Sequence, residues 1–334
     1  MATHTRRRIL LICGSLHQTS MMHEVGGYLA HHNCFYTPYY CDGLLRVLSR
    51  QGLLDFTVLG GAMRRLAERY LEEHCLPRDE RGARQAYDLV LTCSDLIVPR
   101  NIRGKPLVLV QEGMTDPEHI GFRLVRSLGL PRWLSSTAAT GLSLAYDKFC
   151  VASAGYREFF ISKGIPPERL VITGIPNLDN CRRYLENDFP HRGYVLVATS
   201  DTRETFKPDN RPRFLARARE IAAGRQVIVK LHPNENVERS TAEVRAVLPE
   251  ALVLTSGNTN HMIANCDVLI TQYSTCVYVG LALGKECHSY FDLARLQRLQ
   301  PMQNGGTSAR RIAHVCDELL HARERTRVSL RRAS

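Results

Sequence analysis

The chain has 334 residues, 44% of them hydrophobic, and a formal net charge of +11 with a pI near 9.3. Because a single core seldom grows beyond about 250–300 residues, this length predicts two domains of roughly 150 residues each. No apolar run approaches the roughly 20 residues of a membrane span, and the early apolar run 9–13 is too short for a signal peptide, which favours a cytoplasmic protein.

The excess of basic residues calls for an anionic partner, and three classes fit: nucleic acid, an anionic membrane surface or a phosphorylated small molecule. Apart from Arg6-Arg7-Arg8 and the tail from Arg323 to Arg332, the arginines are spread along the chain, and no aromatic-rich basic motif of an RNA-binding module occurs. We therefore expect no nucleic-acid partner. The basic tail is compatible with peripheral association at the inner face of a membrane or with a frayed, solvated end.

The eleven cysteines are odd in number and irregular in spacing, and several lie in or beside apolar runs. This pattern predicts reduced thiols in the core rather than disulfides. No C-x-x-C pair and no Cys/His quartet at zinc spacing occurs, and the spacings of His17, His23, His31 and His32 match no standard ligand set. We expect no metal site and no resident cofactor.

Short apolar runs typical of buried strands alternate with helical periods, which is the pattern of parallel βα units. In the first half these runs are 9–13, 56–59, 89–92, 96–98, 107–110 and 148–152. In the second half they are 170–173, 194–198, 227–231, 251–254, 268–271 and 288–291. Near the C-terminus, one apolar helix face at i, i+3, i+4, i+7 and i+8 predicts a core helix and consists of Ile312, Val315, Cys316, Leu319 and Leu320.

The predicted fold class is α/β, with two Rossmann-like domains whose parallel sheets face a central cleft. We predict an acceptor-side domain over 1–180, a polar linker over 181–192, a nucleotide-binding domain over 193–323 and the basic tail over 324–334. Ligands of open parallel sheets bind beyond the carboxyl ends of the strands. The candidate functional residues are therefore expected in the loops that follow the strands.

The loop after the first predicted strand begins Gly14-Ser15-Leu16-His17 and has neither P-loop nor G-x-G-x-x-G spacing. Its side chains Ser15 and His17 are candidates for contact with an acceptor. Further along, the run 107–110 ends in Gln111-Glu112-Gly113, which puts a carboxylate at a strand tip with a glycine behind it for close approach. Glu112 is a candidate general base in an inverting group transfer, and an ordinary surface glutamate is the alternative.

The loop after 194–198 contains Ser200 and Arg203, and an arginine there can pair with a phosphate, although an ordinary capped loop is the alternative. The run 227–231 leads into Lys230-Leu231-His232-Pro233, where the imidazole emerges at a strand end and the proline fixes the exit turn. His232 can donate to a phosphate oxygen and Lys230 can add a positive charge. A turn histidine and a solvated lysine are the alternatives.

The run 268–271 continues through Gln272-Tyr273 into Ser274 and Thr275, and a helix is predicted over 276–283. Two hydroxyls at a helix start lie where free backbone N–H groups and the helix dipole favour an anion. A plain N-cap is the alternative, since Ser and Thr are preferred there. A His-Pro pair at a neighbouring strand end favours the phosphate site. Because no Asp-x-Asp pair occurs, the expected chemistry needs no metal.

These motifs resemble those of a known group of enzymes. Lys230-Leu231-His232-Pro233, followed by 270–275 and Leu283-Gly284-Lys285, resembles the C-terminal half of GT-B enzymes that handle activated sugars or polyols. The nearest patterns are those of CDP-glycerol glycerophosphotransferases and of capsule glycosyltransferases that use CMP-activated acids, such as sialyltransferases and Kdo transferases.

The resemblance implies roles for individual residues. Glu112 would be the base, His232 would bind or protonate the leaving phosphate, and Ser274 and Thr275 would hold it. One departure concerns the glycerophosphotransferases, which usually carry aspartate where Gln272 stands here.

A second resemblance is to UDP-N-acetylglucosamine 2-epimerases, which share the fold. The stretch Val171-Ile172-Thr173-Gly174-Ile175-Pro176-Asn177-Leu178-Asp179 is similar to their mid-chain motif, and Asp201-Thr202-Arg203-Glu204-Thr205 is similar to their His-Arg-Arg-Glu-Asn stretch. The histidine of that stretch is replaced here, and Val277, Tyr278 and Val279 stand where the epimerases carry paired glutamates. These departures count against epimerisation.

Together, the residues and the resemblance predict a GT-B glycosyltransferase that moves a sugar from a CMP-, CDP- or UDP-linked donor to a cell-surface glycan or a lipid-linked acceptor, with inversion and without a metal. A sugar-nucleotide epimerase, a CDP-glycerol-type glycerophosphotransferase and a catalytically inactive GT-B binding protein are the alternatives. The predicted catalytic residues are Glu112 and His232. The predicted nucleotide and phosphate site consists of Lys230, Pro233, Ser200, Arg203, Ser274 and Thr275.

Overall fold

The computed structural model describes residues 6–116, 118, 120–200, 202–204 and 209–333. The chain divides into two compact units, of which the first comprises Met1–Asp179 and Asn304–Ser334 and the second Asn180–Gln303. Each unit contains one parallel sheet. Asp201 and Thr205 of the predicted polar loop, and Ser334 of the predicted tail, lie outside the described residues.

The strands are short and almost entirely apolar. Those of the first unit are β1 (Arg8–Cys13), β2 (Asn33–Pro38), β3 (Leu89–Thr92), β4 (Leu107–Val110), β5 (Lys148–Val151) and β6 (Leu170–Ile172). Those of the second unit are β7 (Val195–Ala198), β8 (Val227–Lys230), β9 (Leu252–Leu254), β10 (Val268–Thr271) and β11 (Glu286–His288).

Helices connect the strands and cover the sheets. The α-helices are α1 (Leu16–Tyr28), α2 (Gly43–Arg50), α3 (Gly61–Glu73), α4 (Ile120–Leu128), α5 (Ala154–Ser162), α6 (Arg211–Ala222), α7 (Val237–Val247), α8 (Thr259–Asn265), α9 (Val277–Ala282), α10 (Leu293–Leu299) and α11 (Ser308–Ala333). Short 3₁₀ turns occur at Glu80–Gly82, Arg100–Ile102, Arg132–Ala139, Pro167–Arg169, Pro176–Leu178 and Cys181–Leu185. No helix within the described residues has both the length and the apolar character needed to cross a bilayer.

The first sheet has the strand order β2-β1-β3-β4-β5-β6, and its neighbouring strands pair in parallel. The chain passes from β1 to one side, to form β2, and then returns to build the rest of the sheet on the other side. The loops that follow β1 and β3 therefore diverge. This reversal is the topological switch point at which open parallel sheets bind ligands.

The second sheet has the order β11-β10-β7-β8-β9 and is also parallel. Its switch point lies between β7 and β10, because the chain builds β8 and β9 on one side of β7 and then crosses to the other. A core cluster that includes Val195, Val229, Phe214 and Val244 joins the sheet to α6 and α7. Burial on both faces of the sheet explains the continuous apolar runs of these strands.

Most of the predicted strands coincide with observed ones, but three predictions were wrong. Residues 56–59 form turns, and residues 96–98 form an irregular segment before Pro99. The last predicted strand, 288–291, lies too late in the chain, since β11 ends at His288. Conversely, β2 was missed because its sequence, NCFYTP, contains no continuous apolar run.

The C-terminal helix α11 belongs to the first unit, whereas the predicted boundary had placed residues up to 323 in the second domain. Its predicted apolar face is buried, with Ile312 and Cys316 fully inaccessible, and it packs on α1. Ion pairs of Arg7 with Glu324, at 2.6 Å, and of Arg323 with Asp147, at 2.7 Å, add to this attachment. Residues 181–192, predicted as a linker, belong to the second unit.

All eleven cysteines lie within the described residues, and no disulfide joins any two of them. Most are buried, as predicted for core thiols. Burial raises the pKa of both Cys13 and Cys150 to about 12. Such thiols stay protonated at neutral pH and are poor nucleophiles.

Candidate functional site

The first group of candidate residues surrounds Glu112, which follows β4 and therefore lies at the carboxyl end of the first sheet. The preceding residue, Gln111, is buried and ties this turn together. Its amide donates to the carbonyl of Gly113 at 2.8 Å, and its side-chain oxygen accepts from the N–H of Ala152 at 2.9 Å. Because both ends of the amide are engaged, the backbone that carries Glu112 is fixed relative to β5.

Glu112 is held from the opposite side by Gln18, on the first turn of α1. The Nε2 amide of Gln18 donates to Oε2 of Glu112, and its Oε1 accepts from the N–H of Ser15 at 3.0 Å. The hydroxyl of Ser15 in turn accepts from the N–H of Gln18 at 3.4 Å, which completes a capping box. The loop after β1 thus reaches past the end of β3 to the carboxylate after β4.

Gly14 is required for this arrangement. A Cβ atom at this position would lie only 1.4 Å from Oε1 of Gln18. Any larger residue must therefore displace Gln18 from the cap and from Glu112.

The surroundings of Glu112 suit it to proton transfer near neutral pH. Burial, and secondarily the charge of Asp116, raise the pKa of Glu112 from 4.5 to about 7. The residue as a whole is half-buried, so part of it remains accessible to solvent. A group that is both accessible and poised near the working pH can act as a general base.

The two acceptor-side candidates from the loop after β1 have different positions. Ser15 is half-buried, and its hydroxyl caps α1. His17 is exposed, and its backbone carbonyl accepts from Nδ2 of Asn177 at 3.0 Å. This bond joins the predicted motif 171–179 to the first turn of α1, which carries Gln18.

The second group of candidate residues lies at the carboxyl ends of β7, β8 and β10. His232 follows β8 and is half-buried. Its backbone N–H donates to Oγ1 of Thr199 at 3.0 Å and to Oε2 of Glu235 at 2.9 Å, which ties it to the end of β7. Its ring Nδ1 accepts from the N–H of Asn234 at 3.2 Å. The proton of the neutral ring is therefore on Nε2, the atom that could donate to a phosphate oxygen.

Two of the predicted phosphate ligands are engaged elsewhere. Lys230 is buried, its Nζ donates to the carbonyls of Leu231 at 2.7 Å and of Thr255 at 3.3 Å, and burial lowers its pKa. Arg203 makes a bidentate pair with Glu243, at 2.7 and 2.8 Å. Both cations therefore have well-formed partners within the second unit, and Pro233 is exposed beside them.

A buried polar cluster that the sequence did not reveal lies beside His232. Arg211 is 2% exposed, and its Nη2 contacts Oε1 of Glu235 at 2.5 Å and the carbonyl of Ser200 at 3.2 Å. Its Nε pairs with Asp209 at 3.2 Å. A second oxygen of Asp209 accepts from Gln272 at 2.6 Å, so the cluster spans the ends of β7 and β10.

Three atoms of this cluster have unused hydrogen-bonding capacity. The donors Oγ of Ser200 and Nη1 of Arg211 and the acceptor Oε1 of Gln272 are buried and have no hydrogen-bond partner among the described residues. Buried polar atoms of native proteins are nearly always paired, so two such donors at a switch point favour a site for a polar ligand. No signal in the sequence distinguished Arg211 from the many other arginines, whereas Gln272 did lie within a recognised motif.

The paired hydroxyls lie in the turn that precedes α9, and both residues are half-buried. The backbone carbonyls of Ser274 and Thr275 accept from the N–H groups of Val277 and Tyr278. Oγ of Ser274 accepts from the N–H of Cys276 at 3.4 Å. The helix is shorter than predicted, Val277–Ala282 rather than 276–283. The N-cap of the helix is Cys276, without a side-chain cap hydrogen bond, so Ser274 and Thr275 precede the cap rather than form it.

A cluster of His31, His32 and Asp317 in the first unit has the donor types of a metal site. Nε2 of His31 and Nε2 of His32 lie 3.2 and 3.1 Å from the same carboxylate oxygen. However, Nδ1 of His32 accepts from the N–H of Arg7 at 3.3 Å, which places the ring proton on Nε2. This arrangement favours a hydrogen bond from His32 to Asp317 over coordination of a cation.

The protein resembles known proteins in its fold but not in its sequence. No family model and no curated protein sequence matches the chain. Among solved structures, a UDP-GlcNAc 2-epimerase from Neisseria meningitidis bound to UDP-GlcNAc aligns with a TM-score of 0.56 at 11% identity, over 93% of this chain and 100% of that one. S. aureus MnaA in complex with UDP aligns with a TM-score of 0.54 at 10% identity, over 92% and 94%.

A variant of the wall teichoic acid polymerase TagF aligns with a TM-score of 0.53 at 10% identity, over 96% of this chain and 90% of that one. Likeness at this level of identity concerns the fold, and it agrees with the two parallel sheets described above. The chain is an α/β protein with the GT-B-like fold that these epimerases and this polymerase share.

Proposed function

We propose that the protein is a glycosyltransferase that binds a nucleotide-activated sugar at the switch point of its second sheet. The observation that carries the proposal is the polar cluster between the ends of β7 and β10, with buried donors on Ser200 and Arg211 that have no hydrogen-bond partner among the described residues. Parallel α/β sheets bind nucleotides at this position. The names of the solved neighbours include UDP-GlcNAc and UDP as bound molecules, which agrees with a nucleotide-sugar partner.

The phosphate of the donor would be held by uncharged donors as well as by cations. Nε2 of His232, the hydroxyls of Ser274 and Thr275 and the N–H groups of the turn before α9 would stabilise the charge on the leaving phosphate. Because these groups are held in place before the ligand arrives, little reorganisation is needed as charge develops. Lys230 and Arg203, with their existing partners, would shape the site rather than contact the phosphate.

Glu112 would accept the proton of the attacking hydroxyl. A pKa of about 7 leaves much of the carboxylate ionised at neutral pH while keeping it basic enough to take a proton. We propose an inverting, metal-independent transfer to a cell-surface glycan or a lipid-linked acceptor. Transfer of glycerol phosphate from a CDP-linked donor is the alternative that the fold of TagF suggests.

A sugar-nucleotide epimerase is a second candidate, because 2-epimerases and the polymerase align with the chain about equally well. Incubation with UDP-GlcNAc alone separates the two. An epimerase inverts the configuration of one carbon of the sugar without any acceptor. A transferase leaves the sugar unchanged until an acceptor hydroxyl is supplied. Release or inversion of the sugar without acceptor, at a rate abolished by His232→Ala, would replace the transferase proposal.

The first experiment is a thermal-shift screen against CMP, CDP, UDP, UMP, GDP and ADP. A nucleotide that binds the native state at about 100 times its dissociation constant contributes about 2.7 kcal/mol and raises the melting temperature. We expect one nucleotide to stabilise the protein and its effect to be lost in His232→Ala and in the double variant Ser274→Ala/Thr275→Ala.

The matched control is His288→Ala, which removes a histidine whose ion pair among the described residues is with the exposed Glu286, at 2.8 Å. This variant should keep the full shift. Equal loss of the shift in the control and in His232→Ala would point to a general weakening of the second unit. If no nucleotide stabilises the wild-type protein, the nucleotide site is refuted.

A further inference from the structure

A cavity of about 510 Å³ lies in the first unit, away from Glu112, and is bordered by α2, α3 and the turn at Glu80–Gly82. Its lining is strongly basic. The charged side chains that face it are five arginines, Arg46, Arg50, Arg64, Arg65 and Arg81, and two carboxylates, Asp55 and Glu80. The excess of positive charge suits the cavity to an anion.

Two of the five arginines hold the walls of the cavity together. Arg64 donates to Glu68 at 2.8 Å and to Glu80 at 2.9 Å, and Arg81 pairs with Asp42 at 2.9 Å. Arg64 thereby connects α3 with the turn that follows it, and Arg81 connects that turn with the start of α2. Arg64 and Arg81 therefore have a structural role in the walls of the cavity.

The other three arginines have no such use. No carboxylate or hydrogen-bond partner of Arg46, Arg50 or Arg65 occurs among the described residues. The nearby carboxylate of Asp55 instead accepts from the backbone N–H of Gly61 at 3.0 Å. Three guanidinium groups around one cavity can bind phosphate oxygens, for which their planar fork of donors is well suited.

Exposed apolar side chains lie outside the cavity lining, on the same two helices and on the loop between them. Leu44 and Val47 on α2 are 72% and 49% exposed, Leu53 and Phe56 in the following loop are 58% and 49% exposed, and Leu66 on α3 is 42% exposed. None of the residues of α2 is buried. A helix without a fully buried residue, beside a loop with two exposed large apolar residues, indicates a surface that another phase or molecule covers.

We propose that this α2–α3 face, defined by Arg46, Arg50, Arg65 and the five exposed apolar residues, docks on an anionic phospholipid membrane and takes a lipid phosphate into the cavity. Interleaved basic and apolar side chains are what an interfacial membrane site requires, because the cations bind headgroups while the apolar groups enter the boundary with the acyl chains. The absence of acidic partners for the three arginines argues for a uniformly anionic surface. The proposal concerns binding and does not depend on the enzymatic activity.

The test is co-sedimentation of the full chain with vesicles of phosphatidylcholine, with and without phosphatidylglycerol. We expect binding only to the anionic vesicles, and weaker binding as salt is added. The triple variant Arg46→Gln/Arg50→Gln/Arg65→Gln should lower the partition coefficient by at least about ten-fold, because each basic residue near an anionic surface contributes a factor of about five. The matched control Arg217→Gln/Arg219→Gln/Arg245→Gln loses the same charge from exposed positions of the second unit and should change it by less than about two-fold.

A second variant tests the apolar part of the surface. Leu44→Ser/Val47→Ser/Phe56→Ser should also weaken binding to anionic vesicles, although it changes no charge. Circular dichroism spectra like that of the wild type would show that both variants fold. If this variant binds as tightly as the wild type, the apolar residues do not enter the membrane and the docking proposal is wrong.

Two further experiments identify the source of the phosphate and the part of the chain that is responsible for vesicle binding. Stabilisation by glycerol 3-phosphate that is lost in the arginine variant, without any vesicle binding, would assign the cavity to a free phosphorylated ligand and overturn membrane docking. Loss of vesicle binding only in Arg325→Gln/Arg331→Gln/Arg332→Gln would assign it to the basic tail and overturn the proposal as well. Retention of binding in this tail variant supports the α2–α3 face.

Discussion

The carboxylate of Glu112 lies between two fixed amides, since Gln18 contacts it directly and Gln111 locks its backbone. This support orients the group without neutralising it. If Glu112 is the base, Glu112→Gln should lower turnover by about 100-fold or more, because general-base catalysis typically contributes at least that much. The rate of the wild type should rise with pH through about 7 as the carboxylate ionises. Steady-state rates across this range, for both proteins, measure the effect, and unchanged turnover in the variant would exclude the role.

The same carboxylate has a thermodynamic signature that needs no substrate. Folding raises the pKa of Glu112, so the ionised form is disfavoured in the native state. The stabilisation that the protonated carboxyl group provides is fully present below about pH 4.5 and is lost as the pH rises through about 7. Glu112→Gln cannot ionise and should not lose this stabilisation. The free energy of unfolding of the variant relative to that of the wild type should therefore be higher at about pH 8.5 than at about pH 5.5, by on the order of 1–3 kcal/mol. Denaturant unfolding at both pH values measures the difference. Glu186→Gln, at an exposed position, should show no such pH-dependent gain.

At the scale of the element, two glycines, one just before α1 and one within it, have opposite expected effects. Gly14, just before the helix, has no room for a side chain, because a Cβ would lie 1.4 Å from Oε1 of Gln18. Gly14→Ala should break the capping box and cost about 1–3 kcal/mol, the range for a lost cap with overpacking. It should also lower activity, because Gln18 supports Glu112. Urea denaturation of the variant measures the loss.

Gly27 is the matched control on the same helix. It is exposed, and an added Cβ would meet nothing within 4 Å. Gly27→Ala should therefore stabilise the protein by about 0.5–1 kcal/mol, the usual gain from replacing an exposed helical glycine. If both variants were destabilised alike, the effect at Gly14 could not be ascribed to the contact with Gln18.

Elements were predicted where the physical signal was local and were missed where it was not. The continuous apolar runs of β3, β4, β8 and β10 follow from burial on both faces of a sheet, so their sequences identify them. In contrast, β2 forms because β1 offers it a parallel edge, and its own residues are half polar. The run 56–59 has the apolar content of a strand but no neighbouring edge, and it forms turns.

At the scale of the whole molecule, α11 connects the two ends of the chain within the first unit. Ile312 is fully buried in this contact, so Ile312→Ala should destabilise the first unit by about 2–5 kcal/mol, the range for deletion of a buried aliphatic side chain. The only tryptophan, Trp133, lies in that unit and reports its unfolding. The midpoint of the tryptophan fluorescence transition in urea should fall.

Val244→Ala provides the comparison, because Val244 is fully buried in the core of the second unit. Val244→Ala should lower the urea midpoint of the tryptophan fluorescence transition by less than Ile312→Ala does. It should still lower the midpoint measured by circular dichroism. A larger fluorescence shift from Val244→Ala than from Ile312→Ala would contradict the assignment of α11 to the first unit.

The sequence by itself determined the fold class, most of the strands, the buried face of the last helix and the positions of Glu112 and His232 at strand ends. Each of these follows from a short-range pattern of apolar periodicity or from a motif next to a strand. Only the tertiary structure decided which polar residues meet. Gln18 reaches Glu112 from another strand's loop, and Arg211 joins Ser200, Asp209 and Glu235 at the end of the second sheet. Such contacts depend on strand order, which residues distant in the chain do not encode in any local pattern.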